Sequence, residues 1–218
     1  TMVVMDQTFA AEVAGMLERQ PDSLSLRFLK AELLLAAKKP GDAEAVYREI
    51  IEMAGGAGPD AIRARNALAQ QLTTAKRDDE AERLVQAVLA ESASEPDALL
   101  LRAALALRKN DVEPAINDLR LVIREDPERM QAYRLLGQAH VPREEYALAQ
   151  DAFERAIELA PKDPLAYLQL AETQVRSGDS EGGMATLERL LEAAPNNAAA
   201  QQAISRIQLS QRDWGALA

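Results

Sequence analysis

No cysteine occurs among the 218 residues, so disulfides, thiol catalysis and zinc–thiolate sites are excluded. Its absence suits the cytoplasm and the bacterial periplasm equally and does not choose between them. There is one histidine, His140, with no cysteine to share a metal with. Aromatics are only 4%, against a hydrophobic share of 48%, so alanine and leucine carry most of the apolar content. No run approaches the roughly 18 consecutive apolar residues of a membrane span. Basic residues are outnumbered, 25 Lys and Arg against 35 Asp and Glu, for a formal charge of −10. That argues against nucleic acid, which rewards a basic stripe, and against docking on anionic lipid. It mildly favours a basic or apolar partner.

Chemistry-bearing motifs are equally scarce. No Gly-x-Ser-x-Gly elbow is present. Gly182-Gly183 lacks the Gly-Lys-Ser/Thr ending of a phosphate loop and falls inside a helical pattern. The carboxylate clusters Asp78-Asp79-Glu80 and Glu144-Glu145 sit at turns and helix starts, where they complement the helix dipole. No catalytic residue, metal or cofactor is therefore expected.

What the chain has is a period. Stepping by thirty-four residues from Ala81 reaches Ala115, Ala149 and Gly183, and a fixed period of this size marks a stacked helical repeat. With 130–163 as the reference unit, complete units span 24–57, 62–95, 96–129, 130–163 and 164–197. Four residues, 58–61, are inserted after the first. Offset 8 reads Ala31, Ala69, Ala103, Gly137, Ala171, and offset 20 reads Ala43, Ala81, Ala115, Ala149, Gly183. Two antiparallel helices approach closely only where side chains are small, so these columns should mark the crossing within each hairpin. Offset 28 reads Ile51, Leu89, Ile123, Ile157, Leu191, and should fill the space between successive hairpins.

In the reference unit Tyr133, Leu136, Gly137, Ala149, Phe153, Ala156 and Pro161 fall at offsets 4, 7, 8, 20, 24, 27 and 32. This resembles the tetratricopeptide repeat (TPR) consensus. His140, at offset 11, stands where the family usually has Tyr, which makes it a packing position. The resemblance implies an all-α fold, an α-solenoid of stacked antiparallel helix–turn–helix repeats wound into a right-handed superhelix, as a single domain over 1–218. Residues 6–23 read as a partial repeat, with its second helix over 6–20, and 198–218 as another, with its first helix over 198–211 and Trp214 beginning the second. Neither end carries a polar cap, and the expectation is a piece of a longer protein.

Breakers refine the pattern. Asp126-Pro127, Ala160-Pro161 and Ala194-Pro195 end second helices, since proline disfavours helix at the residue before it. Asp163-Pro164 reads as N-cap and first helical residue. Turns are expected at Lys39-Pro40-Gly41, Asn110-Asp111 and Ser177-Gly178-Asp179. Pro142 should end its helix near His140. Gly55-Gly56-Ala57-Gly58-Pro59 coincides with the insertion, and is either a hinge or a longer surface loop.

The family resemblance implies that first helices line a concave face which binds a protein or peptide partner. Outward positions there include Phe28, Leu35, Asn66, Leu100 and Leu107, then Arg134, Gln138, Gln169, Glu172, Arg176, Gln202 and Arg206. Arg134 and Gln138 share one helical face, and Gln169 sits on the next first helix. A planar guanidinium fork beside amides suits a carboxylate or a peptide backbone. The set is similar to part of the family's carboxylate clamp for chaperone tails, but Gln replaces its Asn residues, and Ala199 and Ala203 stand where basic residues are expected. Leu100 and Leu107 could accept an amphipathic helix or merely bridge neighbouring helices. The expected function is a non-catalytic interaction scaffold. The alternative is a structural spacer or self-assembly element that stacks through its repeat ends into a homo-oligomer. The Ala/Leu/Arg-rich stretch 98–103 resembles bacterial envelope-associated repeat proteins in style.

Overall fold

A computed structural model describes the backbone of residues 2–215 and the side chains of residues 9–210. Among the described residues the chain is all helical, without a strand: α1 Met2–Arg19, α2 Leu24–Ala36, α3 Pro40–Met53, α4 Pro59–Thr74, α5 Asp78–Glu91, α6 Pro96–Arg108, α7 Val112–Glu125, α8 Met130–His140, α9 Tyr146–Leu159, α10 Pro164–Arg176, α11 Ser180–Ala193 and α12 Ala198–Gly215. Helix starts follow the signals in the sequence. Pro40, Pro59, Pro96 and Pro164 open their helices, where a missing N–H costs nothing. Asp163 accepts from the Leu165 N–H at 3.1 Å, Asn197 from Ala200 at 3.0 Å, and Ser23 caps α2. The C-caps Asp126, Ala160 and Ala194, each before a proline, leave helical geometry.

The five turns within hairpins share a device that the sequence hides. Offset 15 is left-handed in every unit: Lys38, Lys76, Asn110, Glu144 and Gly178, with φ between 57° and 93°. The next N–H then reaches back five residues, as in Lys39 to Leu34 at 2.8 Å and Asp179 to Gln174 at 2.8 Å, satisfying a carbonyl the helix end would orphan. The turn expected at Lys39-Pro40-Gly41 is displaced, because Pro40 is already helical. α12 runs unbroken through Gly215, so Trp214 continues that helix rather than starting another. No proline or glycine interrupts 198–214.

The chain forms two compact units, Thr1–Leu105 and Ala106–Ala218, the division falling inside α6. In the first unit α2 packs with α3, α4 with α5, and α3 on α4, around a core holding Phe28, Tyr47, Ile50, Leu68 and Leu72. The linker between Met53 and Pro59 is a longer loop and not a break in that core. Arg65 Nη2 donates to the Gly56 carbonyl at 2.6 Å, and the Gly58 N–H donates to Glu91 Oε1 at 2.6 Å. In the second unit α8 packs with α9, α9 on α10, and α10 with α11, around Phe153, Ile157, Leu170, Leu187 and Leu190. Burying a residue such as Phe153 is worth about 1.5–3 kcal/mol.

The small columns are buried in all five units. A Cβ on Gly137 would lie 2.6 Å from the Phe153 ring, and one on Gly183 would lie 2.8 Å from Val175 Cγ2 and 3.1 Å from the Ala171 carbonyl. Offset 27 (Ile50, Val88, Val122, Ala156, Leu190) is buried in every unit. At offset 28 Ile157 is buried, and Ile51, Leu89 and Leu191 are half-buried and packed against the cores, with Ile123 half-buried as well. Offsets 20, 24 and 27 lie on one helical face, and offset 28 stands about 40° beyond offset 24, at the edge of that face.

Candidate interaction surfaces

In the second unit Pro142 ends α8 at His140, as its missing N–H requires, and a 3-10 turn covers Val141–Arg143. The early end of α8, with Phe153 drawn in against Gly137, leaves a cleft of about 160 Å³ between the first helices α8 and α10. Gln138, Gln169, Glu172 and Arg176 line it, with Val141, Pro142, Phe153 and Thr173. Glu172 and Arg176 are paired at 2.9 Å across one helical turn. The Gln169 Oε1 is buried and accepts no hydrogen bond, an arrangement that costs free energy until a donor arrives.

The expected residues are therefore only partly brought together. Arg134 is half-buried and outside the cleft lining; desolvation holds its pKa below the ordinary arginine value, opposed by the field of Asp163. Gln202 and Arg206 line a different, shallow hollow on α12. In the first unit Leu100 is 9% exposed and counts among the buried hydrophobics. Leu107, in the second unit, is half-buried. Phe28 is also buried, beneath the Arg63 guanidinium, which lies 4.0 Å from its ring centre. Periodicity placed these side chains on the right helices but could not say what neighbouring helices cover.

The first-helix face of the first unit holds an open groove of about 660 Å³, with Leu35, Ile62, Arg63, Gln70, Asp97 and Leu101 in its lining. Asn66, read as outward, lines it as well, though only 7% of its surface is exposed. Its Nδ2 donates to Glu95 Oε2 at 2.8 Å, and the same oxygen accepts the Ala98 N–H at 2.7 Å. Glu95 was not anticipated; its place just before Pro96, at a helix start, is the available signal.

His140 is 5% exposed and sits 2.6 Å through Nδ1 from Glu145 Oε2. That contact, with Arg143, holds the Glu145 carboxyl below its ordinary pKa. Among the described residues no group of three or more His, Cys, Asp or Glu could hold a metal, and no helix is long and apolar enough to cross a membrane.

Antiparallel hairpins of two similar helices, repeated at thirty-four residues with small residues at both crossings, define the class of helical-repeat interaction scaffolds. Two tetratricopeptide-repeat family profiles match the chain, one over residues 143–207 and the other over 10–62, 28–96, 79–129 and 100–164. The chain belongs to the tetratricopeptide-repeat family, whose fold generally serves as a non-catalytic scaffold for protein interactions. No curated protein matches it.

Among solved structures it is similar to the Cut9–Hcn1 hetero-tetramer of the APC/C, with a TM-score of 0.79 and 17% identity, covering 94% of this chain and 40% of that one. The chain thus spans well under half of that structure's length. MamA (residue 41 to the end) from Desulfovibrio magneticus RS-1 is similar at a TM-score of 0.65 and 18% identity, covering 80% and 97%. YrrB, described as a TPR protein with an unusual peptide-binding site, is similar at 0.59 and 15%, covering 89% and 98%. At these identities the likeness is one of fold.

Proposed function

We propose that the protein is a scaffold whose α8–α10 cleft holds an extended peptide segment of a partner protein. The observation that carries this reading is the buried, unsatisfied side-chain amide oxygen of Gln169, Oε1, in a cleft it shares with Gln138 on the preceding first helix. A peptide N–H supplies the missing donor, and the Gln138 amide both donates and accepts alongside it. The Glu172–Arg176 pair offers a charge of either sign at the rim. Arg134 stands half-buried on α8, outside the cleft lining. YrrB, with its own peptide-binding site, provides a precedent for such a role on this fold.

Affinity capture from lysate, comparing the native chain with a Gln138→Ala/Gln169→Ala variant, tests the reading. A protein retained by the native form and lost by the variant supports it. Equal recovery by both forms removes the cleft from binding. The self-assembly reading is favoured by a separate observation, the exposed Leu209 on α12. It requires the mass in solution to rise with concentration, and to stop rising in Leu209→Glu.

A further inference from the structure

The open groove of about 660 Å³ on the first-helix face of the first unit contains two polar groups that hold each other and lack what would complete them. Asn66 is buried, and its Nδ2 donates to Glu95 Oε2 at 2.8 Å, while its Oδ1 accepts no hydrogen bond. Turning the amide over would set Oδ1 against the Glu95 carboxylate, so the network fixes an acceptor without a donor. That arrangement costs free energy until a donor arrives. Glu95, half-buried, receives only neutral N–H groups, from Asn66 and from Ala98 at 2.7 Å. It makes no ion pair among the described residues, whereas Glu44 and Glu80, likewise half-buried, each face an arginine. Both Asn66 and Glu95 line the groove. Arg63, the cation in that lining, is engaged elsewhere, 4.0 Å from the Phe28 ring centre and 3.6 Å from Glu32.

We propose that this groove takes an arginine side chain from an extended segment of a partner protein. A guanidinium presents several N–H donors in a planar fork and no acceptor. One group therefore supplies both the hydrogen bond that Asn66 Oδ1 lacks and the charge that Glu95 lacks. A peptide N–H would satisfy the amide but leave Glu95 without a cation, and a carboxylate would be repelled by both. Asp97, exposed in the same lining, adds to the negative field there. Leu35, Ile62 and Leu101 give the arginine's methylene stem and a neighbouring apolar side chain a surface to lie on. The walls come from three successive first helices, Leu35 on α2, Asn66 on α4 and Leu101 on α6. This site is independent of the α8–α10 cleft, where the orphan acceptor of Gln169 stands beside an ion pair already made, Glu172 with Arg176.

The test is a proton–nitrogen NMR titration of the whole chain with a synthetic peptide, acetyl-Gly-Leu-Arg-Leu-Gly-amide. The same peptide carrying citrulline, which keeps the shape of arginine and loses its charge, is the comparison. The arginine peptide should bind at least about tenfold more tightly, the scale of one charge-assisted contact, and the gap should narrow as salt rises. Its binding should move the side-chain amide resonances of Asn66 and leave those of Gln138 and Gln169 in place. Glu95→Gln keeps an acceptor for Asn66 and Ala98 but removes the charge, so it should erase the preference. Gln70→Lys, at an exposed position one turn along α4 from Asn66, should erase it as well without touching the core. Equal affinity for the two peptides, binding of neither, or a preference that survives in Gln70→Lys overturns the proposal. So do shifts confined to Gln138 and Gln169, which would place the peptide in the other cleft. Binding of N-acetylarginine amide as tight as that of the peptide also overturns it, in favour of a small guanidinium ligand.

Discussion

At the residue scale, two kinds of position carry strain or tight packing out of proportion to their size. The left-handed turn residues are mostly not glycine: Lys76 holds φ at 60° and Glu144 at 58°. A side chain in that region costs about 1–2 kcal/mol, and glycine gives back about 0.5–1 kcal/mol in backbone entropy. Lys76→Gly should therefore stabilise the protein by about 0.5–1 kcal/mol, seen as a higher urea midpoint. The opposite holds at Gly137, where a Cβ would meet the buried Phe153 ring. Overpacking costs about 1–3 kcal/mol and alanine's helix preference returns up to about 1 kcal/mol. Gly137→Ala should thus lower stability by about 1–2 kcal/mol. A neutral or stabilising outcome would mean that α8 and α9 slide apart freely.

At the scale of the element, the linker between α3 and α4 shows how a glycine-rich insertion can be tolerated inside a repeat. Gly55, Gly56 and Gly58 adopt positive φ, and Gly58, at φ 86° and ψ 179°, occupies a region essentially closed to other residues. Arg65 and Glu91 then hold its polar groups in place. Arg65→Ala should raise hydrogen exchange at residues 55–58 while leaving protection in α3 and α4 unchanged. If protection of those helices fell as well, the linker would be a hinge after all. Gly58→Ala should cost about 1–3 kcal/mol from backbone strain alone.

At the scale of the whole molecule, the excess of carboxylates makes acid the relevant stress. Hydrogen bonds from Arg77 and Arg48 hold Glu44 below its ordinary pKa of 4.5. Arg77 does the same for Glu80, and His140 for Glu145. A carboxyl whose folded pKa is depressed contributes stability that is complete above its unfolded pKa and is lost as pH falls through the folded value. Stability should therefore be level at neutral pH and decline once pH drops below 4.5, measured as urea midpoints across a pH series. A Glu44→Gln/Glu80→Gln/Glu145→Gln variant should be less stable at neutral pH and show a shallower decline. An unchanged slope would assign acid sensitivity to other groups.

How much was legible before the structure varies with the range of the interaction concerned. The thirty-four-residue period, the small columns, the N-cap at Asp163 and the early end of α8 at Pro142 all depend on residues within about one helical turn or one hairpin of each other. The sequence by itself therefore determined the helices, their pairing into hairpins and the family. Exposure is different, because it depends on which neighbouring helix lies over a side chain. That is why Leu100 and Phe28 are buried, why offset 27 is sealed in every unit while offset 28 is sealed only at Ile157, and why Glu95 holds Asn66 from twenty-nine residues away. Only the tertiary structure decided that Gln138 and Gln169 share a cleft while Arg134 stands outside it. A period repeats in every unit, whereas a cleft arises only where one unit departs from it, as at Pro142.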